Sequence, residues 1–431
     1  LRTLALTLVL VVPFLAQAPR YRTLNDRFAQ PVPATREAWA ARARYIREHV
    51  LASAGLLPMP ERTPLNPVVF DEIRHTDYTV AKVYFESLPG LFVTGNLYHP
   101  AGAGPFPAVL SPHGHWTNGR LEHTEVTSGP GRAIGLARQG FVVFSHDMVG
   151  YNDSRQLTHT FGGPAEYLWG LSLGGLQLWN SIRALDFLET LPFVRRDGFG
   201  VTGESGGATQ SFLLAAVDDR VTVAAPVNMI SLHMQGGCLC ENPPGLRLDL
   251  TNVEIAASIA PRPLLMISAT GDWTNETLEN EYPATRRIFD LFDAGDRVRA
   301  LRFNAEHNYN KDSREVMYAW MARWLQHAPD ASGIAEKDFT PDRVIDLLVF
   351  YGRALPDGAV TREALVERWI ASAKSQIERS DPRELATALR HALGYGAVAA
   401  AAATPLPPVR PTVLLASAQP DLAPALLATG L

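Results

Sequence analysis

The sequence predicts an α/β fold: a mostly parallel central sheet with helices on both faces, opened by antiparallel strands and followed by a helical C-terminal extension. Three observations carry that expectation. Short, almost wholly apolar runs (FPAVLS, FVVFSH, FGVT, VTVAAP, PLLMIS and VRALRF) recur between residues 106 and 303, separated by stretches with helical spacing. Strands buried on both faces read this way, because neither side of the pleat meets water. Ahead of them, TDYTVAKVYFES and LFVTGNLYHP flank a Pro-Gly turn, the pattern of an antiparallel pair. Beyond residue 325 the strands stop, and residues 340–391 are charged and helix-rich.

In chain order, LRTLALTLVLVVPFLAQA sets Arg2 before an apolar run from Leu4 to Leu15 and then Ala16-Gln17-Ala18, a small-x-small pattern that a signal peptidase can cut. Residues 1–18 therefore read as a signal peptide, which implies a secreted or periplasmic protein with no membrane attachment after its removal. The run is short for a bilayer span. A helix is expected over residues 37–54 and the first strands between residues 71 and 100. The main α/β domain is expected to fill residues 19–330, the helical extension 331–393, and an Ala/Pro-rich linker and tail (GYGAVAAAAATPLPPVRP onward) residues 394–431.

A chain of 431 residues builds a sizeable core, and a net charge of −5 with no basic stripe gives no basis for nucleic-acid binding. Only Cys238 and Cys240 are present, so no disulfide framework holds the fold. As a Cys-x-Cys pair they form a tight local bridge or remain two thiols, and a structural or bridging role is expected ahead of metal binding. A metal site would need further ligands, and only His233 is near in sequence.

Two segments match Gly-x-Ser-x-Gly: Gly170-Leu171-Ser172-Leu173-Gly174 and Gly203-Glu204-Ser205-Gly206-Gly207. Context separates them. Ser172 stands at the entrance to a helix with Leu178, Ile182 and Leu185 along one face. Ser205 follows the small-residue strand 200–202 and precedes the helix ATQSFLLAA, the strand-turn-helix setting that lifts a nucleophilic hydroxyl clear of the backbone. A serine hydroxyl is a weak nucleophile and needs a base, itself oriented by a carboxylate. Asp272 follows PLLMIS in ATGDWTNET, and His307 follows VRALRF in NAEHNYN, so both belong at the strand ends where open parallel sheets gather their catalytic groups. The order Ser205, Asp272, His307 is that of one hydrolase class. Asp249 is the rival acid and His233 the rival base.

With GESGG, SPHGHW, DMVGYNDS, ATGDW and AEHNYN in this order over residues 66–326, the chain resembles the α/β-hydrolase superfamily, and within it secreted acetyl xylan esterase-like and dienelactone hydrolase-like enzymes. The resemblance implies that Ser205, Asp272 and His307 form the triad. It also implies that the oxyanion site takes the Gly206 amide with that of His115 or Trp116. The string GGCLCENPPGLR is similar to a loop of bacterial acetyl xylan esterases, and makes Cys238, Cys240 and Glu241 candidates for the substrate rim. Glu204, beside the nucleophile, departs from the His, Tyr or Met usual there and reads as a solvated or hydrogen-bonded elbow residue ahead of a substrate-facing carboxylate.

The implied function is ester hydrolysis through an acyl-enzyme, with deacetylation of polysaccharide as the expected reaction and no cofactor. A prolyl oligopeptidase-type peptidase shares the triad order but carries a large propeller, which the roughly 50 residues before the first strands cannot hold. A non-catalytic hydrolase-fold binding protein typically lacks a triad member. His113, His115 and His123, with Glu122 and Glu125, invite a metal reading; the loop reading is preferred, and no metal is expected. The expected partner is a small-molecule or polysaccharide ester, and the oligomeric state is not legible.

Overall fold

The computed structural model describes residues 23–394 apart from 29, 31 and 330–333. The signal-peptide reading of residues 1–18, and the tail reading for residues 395–431, lie outside the described residues. One nine-stranded sheet organises the fold. Its strands are β1 (Val68–Arg74), β2 (Tyr78–Leu88), β3 (Leu91–Pro100), β4 (Phe106–Leu110), β5 (Val142–His146), β6 (Val194–Glu204), β7 (Val221–Val227), β8 (Leu264–Ala269) and β9 (Val298–Phe303). Their spatial order is β1-β2-β3-β5-β4-β6-β7-β8-β9. The pairs from β1 through β3 to β5 are antiparallel, and all those from β5 to β9 are parallel.

Each apolar run of the sequence forms one of strands β4 to β9. The antiparallel opening contains one strand more than expected: β1 (VVFDEIR) is largely exposed, and its apolar residues do not alternate with polar ones. The FGVT strand also starts earlier, at Val194, where VRRDG extends it on a more exposed path.

Helices cover both faces: α1 (Arg36–Ser53), α2 (Gly129–Arg138), α3 (Pro164–Leu168), α4 (Leu173–Thr190), α5 (Gly206–Val217), α6 (Asn252–Ala257), α7 (Glu281–Asp290), α8 (Lys311–Leu325), α9 (Val344–Leu347), α10 (Arg362–Arg379) and α11 (Pro382–Ala392). The period of two along each strand divides the core. On β8, Leu264 and Met266 pack toward the face covered by α1, α4, α5, α6 and α7, whereas Leu265 and Ile267 pack toward α2 and α8. Every residue of α5 is buried, so the helix following Ser205 is fixed to the sheet along its whole length. Each large side chain so buried contributes roughly 1.5–3 kcal/mol. No described helix is long and apolar enough to cross a membrane.

The C-terminal helical region lies against the sheet domain. Val349 and Phe350 donate their amides to the Asp153 carboxylate at 2.8 and 2.9 Å, and the Val360 amide donates to the Gly90 carbonyl. Val360 and Leu365 enter an apolar cluster with Leu157, Phe161, Leu173 and Cys240. Asp153, from the DMVGYNDS string, also pairs with the buried Arg120 at 3.0 Å and so pins the region to the sheet's strand-end loops.

Candidate active site

Ser205 closes β6 and opens α5 with φ +55° and ψ −122°, a conformation that an L-residue holds only where its surroundings impose it. Its amide donates to the Val227 carbonyl at 3.0 Å, tying the turn to the end of the neighbouring strand. Gly203 and Gly207 let the turn close. A Cβ on either would stand 2.4 or 2.5 Å from the Pro112 carbonyl oxygen. Ser172, in the other Gly-x-Ser-x-Gly copy, plays a structural part, since its Oγ accepts the Gly175 amide at 3.1 Å and caps α4.

Asp272 and His307 meet. His307 Nδ1 donates to Asp272 Oδ2 at 2.8 Å, while Asp272 Oδ1 accepts from both the amide and the hydroxyl of Thr274 at 2.7 and 2.5 Å. The carboxylate side chain is 2% exposed and the imidazole 24%, so the pair is shielded yet reachable from outside. His307 Nε2 is left buried with no partner. Its loop is tied to the end of β7: Asn228, one residue past the carbonyl that takes the Ser205 amide, donates its side-chain amide to the Asn308 carbonyl at 3.0 Å. Trp116 bridges from above, with its ring stacked 6.1 Å from His307 and its Nε1 donating to Glu204 Oε1 at 2.7 Å. Of the rivals, Asp249 is engaged by Arg42 at 3.1 Å and His233 by Ser231.

Glu204 is a buried, hydrogen-bonded elbow residue. Its Oε2 pairs with Arg132 at 2.5 Å, and Arg132 in turn donates to Ser111 and lies over the Tyr309 ring at 4.7 Å. One carboxylate therefore joins the elbow, the 113–116 loop and α2. Glu204→Ala is expected to lower unfolding free energy by about 3–5 kcal/mol, the cost of stranding a buried guanidinium. Urea denaturation checks this; a loss under about 1 kcal/mol would mean that water or another group satisfies Arg132.

The 113–116 loop packs directly on Ser205. A Cβ on Gly114 would stand 3.2 Å from the Ser205 Cβ. His113 stiffens the loop from beneath: its Nδ1 donates to the Gly114 carbonyl at 2.7 Å and its Nε2 accepts the Met148 amide at 3.0 Å. Burial drives its pKa well below the ordinary histidine value, so it stays neutral. At the start of α5, Thr209 is the first residue to donate back, to the Ser205 carbonyl, and Ser205 supplies no side-chain cap. The Gly206 amide thus points out of the helix N-terminus beside the hydroxyl, where developing negative charge is favoured.

No protein-family profile matches the chain. Among curated proteins it is 25% identical over 241 residues to YtaP of Bacillus subtilis (strain 168), a hydrolase by inference, covering 52% of this chain and 80% of that one. Among solved structures it is similar to a methylesterase, with a TM-score of 0.64, 27% identity, and coverage of 81% of this chain and 78% of that one. A glucuronoyl esterase from Solibacter usitatus matches with a TM-score of 0.52 and 19% identity, over 72% of this chain and 99% of that one. The fold is that of the α/β-hydrolases.

In this hydrolase the loop after β7 carries the other site candidates. Cys238 and Cys240 are unbridged, the second of the two states the sequence left open. The tip is held instead by Glu241, whose Oε2 accepts the amides of Gly237 and Cys238 at 2.8 and 3.0 Å. The hydrolase also brings to these cysteines two histidines remote in sequence: His115 Nε2 lies 3.0 Å from Cys240 Sγ, and His159 Nε2 lies 3.4 Å from Cys238 Sγ. His233, the neighbour in sequence, takes no part. The trio His113, His115 and His123 is not a cluster of ligands, since both His113 nitrogens are taken by the Gly114 carbonyl and the Met148 amide and His123 bonds Ser128 at 2.8 Å. His159 and Arg132 are the residues that sequence reasoning missed. Their partners lie 79 and 72 positions away, and no local pattern marks either.

Proposed function

We propose that the protein is a serine esterase acting on carbohydrate esters through an acyl-enzyme. The observations that carry this reading are the Asp272–His307 pair at 2.8 Å and a serine held at positive φ between strand and helix. Ser205 Oγ attacks the ester carbonyl while His307 Nε2 accepts its proton; Asp272 fixes the imidazole with Nδ1–H and stabilises the imidazolium. The Gly206 amide, with that of His115 or Trp116, receives the oxyanion. One such donor contributes about 3–4 kcal/mol to barrier lowering in related acyl transfer. The imidazolium then protonates the departing alcohol, and water attacks the acyl-enzyme by the same route in reverse.

Ester hydrolysis is also what the similar solved structures are named for, and their named substrates are carbohydrate esters in several cases. Deacetylation of polysaccharide is the first reading, with the sugar as leaving alcohol and Cys238, Cys240 and Glu241 near its rim. Similarity to a methylesterase favours a second, in which a sugar acid is the acyl group and methanol leaves. Export rests on the Arg2–Ala18 pattern alone. The test is product analysis with purified protein on acetylated xylan, methyl-esterified uronan, p-nitrophenyl acetate and Pro-containing peptides. Acetate release supports the first reading and methanol release the second. Peptide cleavage without ester cleavage would sink both in favour of a peptidase.

A further inference from the structure

We propose that His115, His159, Cys238 and Cys240 bind one zinc ion in a tetrahedral site that clamps three active-site loops together beside the nucleophile. Each residue offers one ligand atom, and the four atoms lie within 4.8 Å of one another. In a tetrahedral zinc site with two sulfurs and two nitrogens, bond lengths of about 2.0–2.3 Å put neighbouring ligand atoms roughly 3.3–3.8 Å apart. The observed separations of 3.0 Å (His115 Nε2 to Cys240 Sγ) and 3.4 Å (His159 Nε2 to Cys238 Sγ) lie close to that spacing, so small side-chain rotations suffice.

The surroundings are those a metal-binding imidazole requires. His159 Nδ1 donates to the Val149 carbonyl at 2.6 Å, which leaves the lone pair on Nε2, the nitrogen aimed at sulfur. His115 presents Nε2 to the cysteines and turns Nδ1 toward Glu241 Oε1 at 3.9 Å. The same Glu241 side chain accepts the amides of Gly237 and Cys238 and so orients the Cys-x-Cys loop. A carboxylate behind a ligating histidine is the usual outer support of a zinc site. Without a metal, the cluster would rest on weak thiol hydrogen bonds in a largely buried place. Ligation displaces the thiol protons, so both sulfurs would bind the ion as thiolates. With two thiolates, two neutral imidazoles and Zn²⁺ the site sums to zero charge, which removes the penalty of burying an unpaired ion.

All four positions are filled by protein, as in structural rather than catalytic zinc sites. The clamp joins the loops after β4, β5 and β7. It also sets the His115 ring against the residue after the nucleophile, where a Cβ on Gly206 would stand 2.6 Å from the His115 Cε1. Zinc would therefore position the 113–116 loop without touching the ester.

Metal analysis of the full-length protein, purified without chelator from zinc-supplemented medium, tests the proposal independently of any activity. About one zinc per chain is expected, together with thiols that react with Ellman's reagent only after a chelator removes the metal. Replacement of zinc by Co²⁺ in wild-type protein is expected to give tetrahedral d–d bands with thiolate-to-cobalt charge transfer, a readout that needs no variant to fold. His159→Ala and the double variant Cys238→Ser/Cys240→Ser are expected to lose the metal. Wild-type protein free of stoichiometric metal, a chain lighter by two hydrogens because Cys238 and Cys240 are bridged, or full zinc retention in the double cysteine variant would each overturn it.

Discussion

Ser205→Ala is expected to reduce kcat for ester hydrolysis by on the order of 10⁶-fold, to background, while leaving the melting temperature near that of the wild type. In the proposed mechanism, loss of Oγ removes the atom that forms the acyl-enzyme, whereas the Gly206 amide and the His307–Asp272 pair remain. The fold should tolerate the change. Ser205 offers no side-chain cap to α5, so its hydroxyl contributes nothing to the helix that follows. Ser172→Ala gives the opposite result: unchanged chemistry, and a stability loss of about 1 kcal/mol from the missing cap on α4. A fluorophosphonate probe reads the same contrast, labelling wild type and Ser172→Ala once and Ser205→Ala not at all. Labelling that persists in Ser205→Ala and vanishes in Ser172→Ala would exchange the two roles.

That contrast shows what a sequence can carry. The two Gly-x-Ser-x-Gly copies differ in what precedes them, a buried strand for Ser205 and a loop for Ser172, and strands buried on both faces are visible as continuous apolar runs. Strand ends are visible for the same reason, so Asp272 and His307 could be read from their places just past β8 and β9. What was not legible depends on partners far apart in the chain. β1 is mostly exposed and pairs only with β2, and its apolar residues Val68, Val69, Phe70 and Ile73 do not follow the spacing of a buried or half-buried strand. Glu204 reads as an oddity until Arg132 arrives from α2. The cysteines read as a pair sufficient to themselves until the loops after β4 and β5 deliver His115 and His159, because local spacing says nothing about which loops a parallel sheet gathers at one edge.

Asp272→Asn is expected to lower kcat by about 10⁴-fold with little change in KM, and the hydrogen bonds around Asp272 say why. Oδ1 accepts two donors from Thr274, its amide and its hydroxyl, while Oδ2 faces His307 Nδ1. An asparagine has one acceptor oxygen, and the two Thr274 donors claim it. Its NH₂ must then point at His307 Nδ1, which can accept that bond only by giving up its own proton. The imidazole shifts to the tautomer protonated at Nε2, so the nitrogen that should take the Ser205 proton already carries one. Substrate binding does not pass through this contact, which is why KM stays near its wild-type value. Thr274→Val in the Asp272→Asn background removes the hydroxyl's claim on the oxygen and should restore part of kcat, an outcome that a general loss of packing would not produce. Near-normal turnover in Asp272→Asn would move the acid elsewhere, with Asp249 next to be tested, although Arg42 already engages it.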